Sequence, residues 1–288
     1  MSEYRAAIHG HVNPINSGSN KKKLDDGLVG ADVIVRAAAR NRIDLLGVSS
    51  HDTTANIRFF FDSVKRHNAS NDRQIIPVAG VELTVQVGPA LGHLLLAQIG
   101  MQEDSFIQFL NRTINSGQSD LTDTIRRAVS GDYQNVIAVI THPGYDRIPS
   151  VPLSQLERLP EEIGSEAMRR VGVEVVNGFT AISGGSPARQ EEALRISTSS
   201  NFARIGGSDF HTGFQVAQTT TNFIGQPGQD AAAAFLGAFD KRETYVEDRT
   251  NRLTMLRLYG VALHLLLNKQ YSPIEFLIAL SGKRKFDK

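Results

Sequence analysis

The stretch RAAIHGHV, residues 5–12, ends an apolar run on two histidines separated by a single glycine. In a β-strand, residues i and i+2 face the same side, so a strand here aims His9 and His11 at one point in space. The rest of the chain must supply whatever else meets there.

Outward from this stretch, short apolar runs alternate with longer helical patterns. The further predicted strands are DLLGVSS (44–50), QIIPVAGVEL (74–83), GHLLLAQI (92–99), NVIAVITH (135–142), VGVEVVNG (171–178) and ARIGGSDF (203–210). This alternation predicts an α/β fold with a mostly parallel sheet. Predicted helices include ADVIVRAAARNR (31–42) and TANIRFFFDSVKRH (54–67), the latter with Asp52 or Thr53 as N-cap. In SQLERL, Ser154 and Glu157 have capping-box spacing, and SPARQEEALRIS places Pro187 in a first helical turn.

Residues 102–130 interrupt the alternation as a helical insertion, with Phe106, Phe109, Leu110 and Ile114 on one stripe. Residues 12–30 read as a polar loop, in which Lys21, Lys22 and Lys23 are either solvated or meet an anionic ligand. The last sixty residues read as helical; in SPIEFLIALSG, Ser272, Pro273 and Glu275 open a helix that Gly282 stops. The expected organisation is one elaborated domain over 1–250, followed by a helical extension over 251–288.

The 288 residues are 41% hydrophobic and 21% charged, with a formal net charge of +1. No strong overall field points to nucleic acid or an anionic membrane. The absence of cysteine excludes disulfides and thiolate metal sites, leaving imidazole and carboxylate as metal ligands. The longest apolar run, YGVALHLLL (259–267), is too short to span a bilayer, and the first residues lack a signal-peptide pattern. A soluble, cytoplasmic protein is expected.

Of eight histidines, His9, His11, His51, His93, His142 and His211 fall on or just beyond a predicted strand; His67 and His264 fall in helices. Glu82 and Asp209 also end strands. In a parallel α/β barrel the carboxyl ends of the strands converge on one face. Imidazoles and carboxylates gathered there would form a multinuclear metal site. His93 opens its strand, so either that strand runs against the others or its side chain enters from the preceding loop. Asp52 is a helix cap or a ligand. Glu174, inside VGVEVVN, requires a partner if it faces inward, because a buried unpaired carboxylate is costly.

This ordered set resembles the PHP superfamily (polymerase and histidinol phosphatase), whose members are metal-dependent phosphoesterases on a distorted (β/α)7 barrel. The matching motifs are HGH (His9, His11), LDDG (Asp26, Gly27), SSHD (His51, Asp52), GVE (Glu82), His93 before an apolar run, THPG (His142) and GSDFH (Asp209, His211). The resemblance spans residues 5–247. Two departures stand out: Ser49 and Ser50 replace the family's Thr-Asp before His51, and the loop from Val12 is long, leaving Asp25 and Asp26 as alternatives.

The resemblance implies two or three divalent ions: one held by His9, His11, Glu82 and Asp209, a second by Glu82, His93 and His142, and a third by Asp26, His51 and His211. Asp209 and His211 would stand at the catalytic end. It implies hydrolysis of a phosphate ester by a metal-bound hydroxide, on a nucleotide, an oligonucleotide end or a small phosphorylated metabolite. Nitrogen and oxygen ligands suit Mn, Zn or Fe. Arg147 either grips a substrate phosphate or pairs at the surface with an acid such as Asp146. The competing readings are a metal-dependent amidohydrolase and a non-catalytic, metal-stabilised binding module. No lysine ends a middle strand, where an amidohydrolase commonly carries a carboxylated one. Oligomeric state is left open.

Overall fold

The computed structural model describes residues 1–12, 29–100, 103–117, 119–129, 133–146, 148–178 and 186–250. The loop carrying Lys21–Lys23, Asp25 and Asp26, the residue Arg147 and the extension 251–288, with its SPIEFLIALSG segment, lie outside these residues. The elements in chain order are β1 (Ser2–Ala7), α1 (Ala31–Arg40), β2 (Leu45–Val48), α2 (Ala55–Ala69), β3 (Ile76–Val87), β4 (Ala90–Ile99), α3 (Asp104–Asn115), β5 (Ser119–Asp120) and α4 (Leu121–Val129). They continue with β6 (Val136–Ile140), α5 (Leu153–Ile163), α6 (Ser165–Met168), β7 (Val171–Asn177), α7 (Pro187–Ser199), β8 (Ala203–Gly207), β9 (Thr219–Gly225), α8 (Ala231–Lys241) and β10 (Tyr245–Asp248).

The strands form one mixed, nearly closed barrel in the order β10-β9-β1-β2-β3-β4-β6-β7-β8, with β5 beside β3. Strands β1, β2 and β3 pair in parallel, as do β6, β7 and β8. Strand β4 runs antiparallel to both β3 and β6, because a tight turn at Gly88 (φ 57°) folds it back on β3. His93, near the start of β4, is thereby brought to the end of the barrel where the parallel strands finish. The structure thus selects the first of the two alternatives for this residue.

On β3, β4, β6 and β7 the inward face reads apolar or glycine at one end and polar at the other, and β8 carries apolar residues and a glycine. It runs Val78, Gly80, Glu82 in β3 and Ile137, Val139, Thr141 in and after β6. It runs Gly172, Glu174 in β7 and Ala203, Ile205, Gly207 in β8. In the reversed β4 the order inverts to His93, Leu95, Ala97, Ile99. The apolar residues of this face form one cluster with Phe235 and Phe239 of α8, both fully buried. Each such phenylalanine contributes roughly 1.5–3 kcal/mol through burial. The opposite face of the same strands carries Val81, Leu83, Leu94, Leu96, Ala138, Ile140 and Val173, which pack under α3, α4 and α5. The predicted stripe on α3 holds: Phe106, Phe109 and Leu110 are buried and Ile114 packs at the edge.

Some local expectations differ from the fold. Strands β9 and β10 lie outside the predicted strands, and β10 falls in the region read as helical. TTTNFIG and YVED lack a long apolar run, and pairing with β1 and with each other makes them strands. The N-cap of α2 is Thr54 rather than Asp52 or Thr53. Asp52 has φ 43° and points elsewhere, accepting hydrogen bonds from the Thr84 N–H and hydroxyl, both at 2.8 Å. Helix α5 starts after an extended Pro152, so Ser154 lies inside its first turn and caps nothing. Pro187 does occupy the first turn of α7.

Closure of the barrel explains the glycine between the two histidines. Beyond β1, Gly10 bridges to Phe210 in parallel, and the His11 N–H donates to the Phe210 carbonyl at 2.7 Å. A Cβ on Gly10 would lie 2.4 Å from the Phe210 ring, which is fully buried. At the other end β9 enters the gap. There Thr221 accepts from the Gly206 N–H at 2.9 Å, and the Thr244 hydroxyl donates to the Arg204 carbonyl at 2.8 Å. Gly10→Ala is therefore expected to destabilise the fold by about 1–3 kcal/mol through overpacking. Urea unfolding measures this, and an unchanged midpoint would contradict the packing described.

Candidate metal centre

The side chains singled out in the sequence meet at the carboxyl end of the parallel strands. His9 and His11 follow β1, His51 follows β2, Glu82 lies in β3, His142 follows β6, and Asp209 and His211 follow β8. His93 arrives from the reversed β4. All eight are buried.

Glu82 stands at the middle, with its two oxygens facing different partners. Oε2 lies 3.3 Å from His9 Nε2, 3.6 Å from His11 Nε2 and 3.1 Å from His51 Nδ1. Oε1 lies 3.0 Å from His142 Nε2 and 3.4 Å from His93 Nδ1. Asp209 Oδ1 lies 3.2 Å from His11 Nε2 and 3.8 Å from His9 Nε2. Among the described residues, three sets of converging donor atoms result: His9, His11 and Asp209; His11, His51 and Glu82; and Glu82, His93 and His142.

The first and second ligand sets that the resemblance implies are thus brought together, with Glu82 between them. His51 stacks on His11 at 4.7 Å and shares Glu82 with it. His211 stacks on the same ring at 4.6 Å, with its Nδ1 held 3.0 Å from the Asp209 carbonyl. The implied third set cannot be assembled among the described residues, because Asp26 lies outside them. Ser50 accepts from Asn56 Nδ2 at 2.8 Å, and Ser49 accepts from the Gly10 N–H at 3.1 Å. These serines brace β1 and α2.

The donor set fits divalent cations. The Nε2 atoms of His9 and His11 are buried and have no hydrogen-bond partner, although carboxylate oxygens surround them. Nitrogens and oxygens that approach one another without hydrogen bonding could hold a cation between them. Electrostatics agree. Burial opposes a charge on His9, but Glu174, Glu82 and Asp209 outweigh it and raise its pKa well above the usual range. His11 is likewise raised, against burial, by the neighbouring carboxylates of Asp209 and Glu82. Burial would raise Glu82 and Asp209, yet both are held low: Glu82 by His9, His51 and His93, and Asp209 by His9, His11 and His211. The buried carboxylates thus favour positive charge beside them.

The backbone is bent to make this arrangement. His142 (φ 31°), Asp209 (φ 46°) and Asp52 (φ 43°) all adopt left-handed conformations at strand ends. Such residues cost of order 1–3 kcal/mol each and persist where the surroundings over-determine them.

Two polar neighbours add to the sequence-derived set. The Thr141 hydroxyl donates to Glu82 Oε1 at 2.7 Å. Glu174, whose orientation the sequence left open, faces inward and meets His9 Nδ1 at 2.6 Å. The signal for both was available: each occupies the inward parity of its strand, two residues beyond an inward apolar residue or glycine.

No family model matches the sequence, and no curated protein matches it. Among solved structures, PsfC from Pseudomonas syringae PB-5123 is similar at a TM-score of 0.60, with 14% identity over 92% of this chain and 98% of that one. A candidate metal-dependent phosphoesterase from Bifidobacterium adolescentis superposes less closely, at 0.45, with 14% identity over 73% of this chain and 88% of that one. An amidohydrolase from Chromobacterium violaceum, with bound sulfate and no metal, reaches 0.47, with 17% identity over 72% and 87%. The likeness to PsfC extends over nearly the whole chain and shows a shared fold.

Proposed function

We propose that this chain is a metal-dependent phosphoesterase of the PHP type. The observation that carries the reading is the divided carboxylate of Glu82, one oxygen facing His9 and His11 and the other facing His93 and His142. One carboxylate set between two groups of imidazoles suits a pair of neighbouring divalent ions. Mn, Zn or Fe fits the nitrogen and oxygen donors. Such ions would neutralise the nonbridging oxygens of a phosphate ester and bring the pKa of water toward neutrality.

The protein's own part is positional. His9, His11 and Asp209 would hold one ion and His93 and His142 the other, with Glu82 shared. Thr141 keeps Glu82 from rotating by donating to Oε1. His51 and His211 flank the His11 ring and, with Asp209, would complete the catalytic end and any third ion. Arg147 is the proposed grip on the substrate phosphate, and a nucleotide, an oligonucleotide end or a phosphorylated metabolite is the proposed substrate. An amidohydrolase reading has less support, because the carboxylate between the two groups is Glu82, and the two described lysines, Lys65 and Lys241, are exposed on helices. No described helix is long and apolar enough to cross a membrane; the proposed setting is the cytoplasm.

Two outcomes follow. Purified protein should contain divalent metal and release phosphate from some phosphate monoesters or diesters, and His9→Ala should lower that rate by at least about 100-fold, more than loss of an outer hydrogen-bond partner usually costs. Undiminished release by His9→Ala, or activity confined to amides and lactones, would contradict the proposal.

The second outcome concerns pH. In metal-free protein, His9 and His11 have raised pKa values, so their contribution to stability is complete below about 6.5 and is lost as pH rises through the folded values. Glu82 and Asp209 are depressed, so theirs is complete above about 4.5 and is lost as pH falls further. The Tm of EDTA-treated protein should therefore decline between pH 6.5 and 9, while the added stabilisation by Mn2+ grows as protons leave the ligands. Thermal melts across this range test it; a metal-free Tm that climbs with pH would contradict it.

A further inference from the structure

Glu174 is not among the converging ligand atoms, yet it touches both halves of the centre. Its side chain is fully enclosed. Oε1 lies 2.6 Å from His9 Nδ1. Oε2 accepts from the His142 backbone N–H at 2.9 Å and from Asn177 Nδ2 at 2.9 Å. The opposite wall is Gly207 of β8, where a Cβ would fall 1.9 Å from Glu174 Oε1. Strand β8 lacks a side chain at the position this carboxylate fills.

The chemistry of these contacts is directional. An ionised carboxylate only accepts hydrogen bonds, so His9 must carry its proton on Nδ1 when it meets Glu174 as a neutral imidazole. The lone pair then sits on Nε2, the buried atom without a hydrogen-bond partner that faces Glu82 and Asp209. The second oxygen holds the amide of His142, the residue with φ 31° whose Nε2 faces the other oxygen of Glu82. Outer carboxylates that bond a ligand imidazole fix its tautomer and ring orientation.

We propose that Glu174 is a positioning residue that sets one ligand in each of two metal sites: it selects the Nδ1–H tautomer of His9 and anchors the left-handed backbone of His142. This rests on the metal-dependent reading above and deepens it. Both sites depend on one carboxylate from β7, so losing it weakens both together. A glutamine cannot replace it. Its single oxygen can serve His9 or the two donors at Oε2, and its amide N–H then opposes the donor left over.

The test combines zinc titration of wild type and Glu174→Gln with nitrogen NMR of the histidines in zinc-loaded wild type. The expected results are an Nδ1–H tautomer at His9 and zinc affinity about 10–100-fold weaker in Glu174→Gln, with the loss shared by both sites. A purely structural role would leave tautomer and affinity unmoved. Wild type that binds zinc with His9 in the Nε2–H form overturns the proposal, as does a folded Glu174→Gln with wild-type affinity. If Glu174→Gln does not fold, the wild-type tautomer decides alone. Wild type that takes up no zinc overturns the metal reading itself, and this proposal with it.

Discussion

One buried carboxylate governs the arrangement of this molecule. Glu82 lies within 3.0–3.6 Å of five imidazole nitrogens drawn from β1, β2, β4 and β6 and the residues that follow them. An ionised group so enclosed is stable only where positive charge or convergent donors surround it. Strands that are distant in sequence must therefore finish at the same end of the sheet. The barrel does this for the parallel strands, and reversal of β4 does it for His93.

The same requirement explains the division of the interior. The polar end cannot stabilise the fold by burial, so the other end of each inward face is apolar and packs with Phe235 and Phe239. Close packing also reaches the site itself. Gly10 admits the Phe210 ring, and Gly207 admits the Glu174 carboxylate. These two glycines let the walls of the barrel approach where polar side chains from β1, β7 and β8 meet. Left-handed backbone at Asp52, His142 and Asp209 is the accompanying strain, offset by hydrogen bonds such as the one from the His142 N–H to Glu174.

Much of this was legible in the sequence, for identifiable reasons. His-x-His at a strand end, and histidines or acids ending further apolar runs, report a convergence that alternation of strand faces makes physical. The hidden parts depend on long-range pairing. TTTNFIG has no apolar run, and only its antiparallel neighbours β1 and β10 define it as a strand. Asp52 reads as a helix cap from its position before α2, yet the backbone turns there and hands its carboxylate to Thr84. The position of His93 before its apolar run left two alternatives in the sequence, a reversed strand or an entering loop, and only the pairing of β4 with β3 and β6 decides between them. Glu174 was visible as an inward-parity acid, but its partner His9 lies 165 residues away, beyond the reach of local pattern.

The central claim is that these side chains bind neighbouring divalent ions with Glu82 between them. Calorimetric titration of EDTA-treated protein with Mn2+ or Zn2+, wild type beside Glu82→Gln, tests it most directly. The account predicts at least two ions per chain in the wild type, with both weakened together in the variant. No uptake by the wild type, or binding that Glu82→Gln leaves intact, would contradict it.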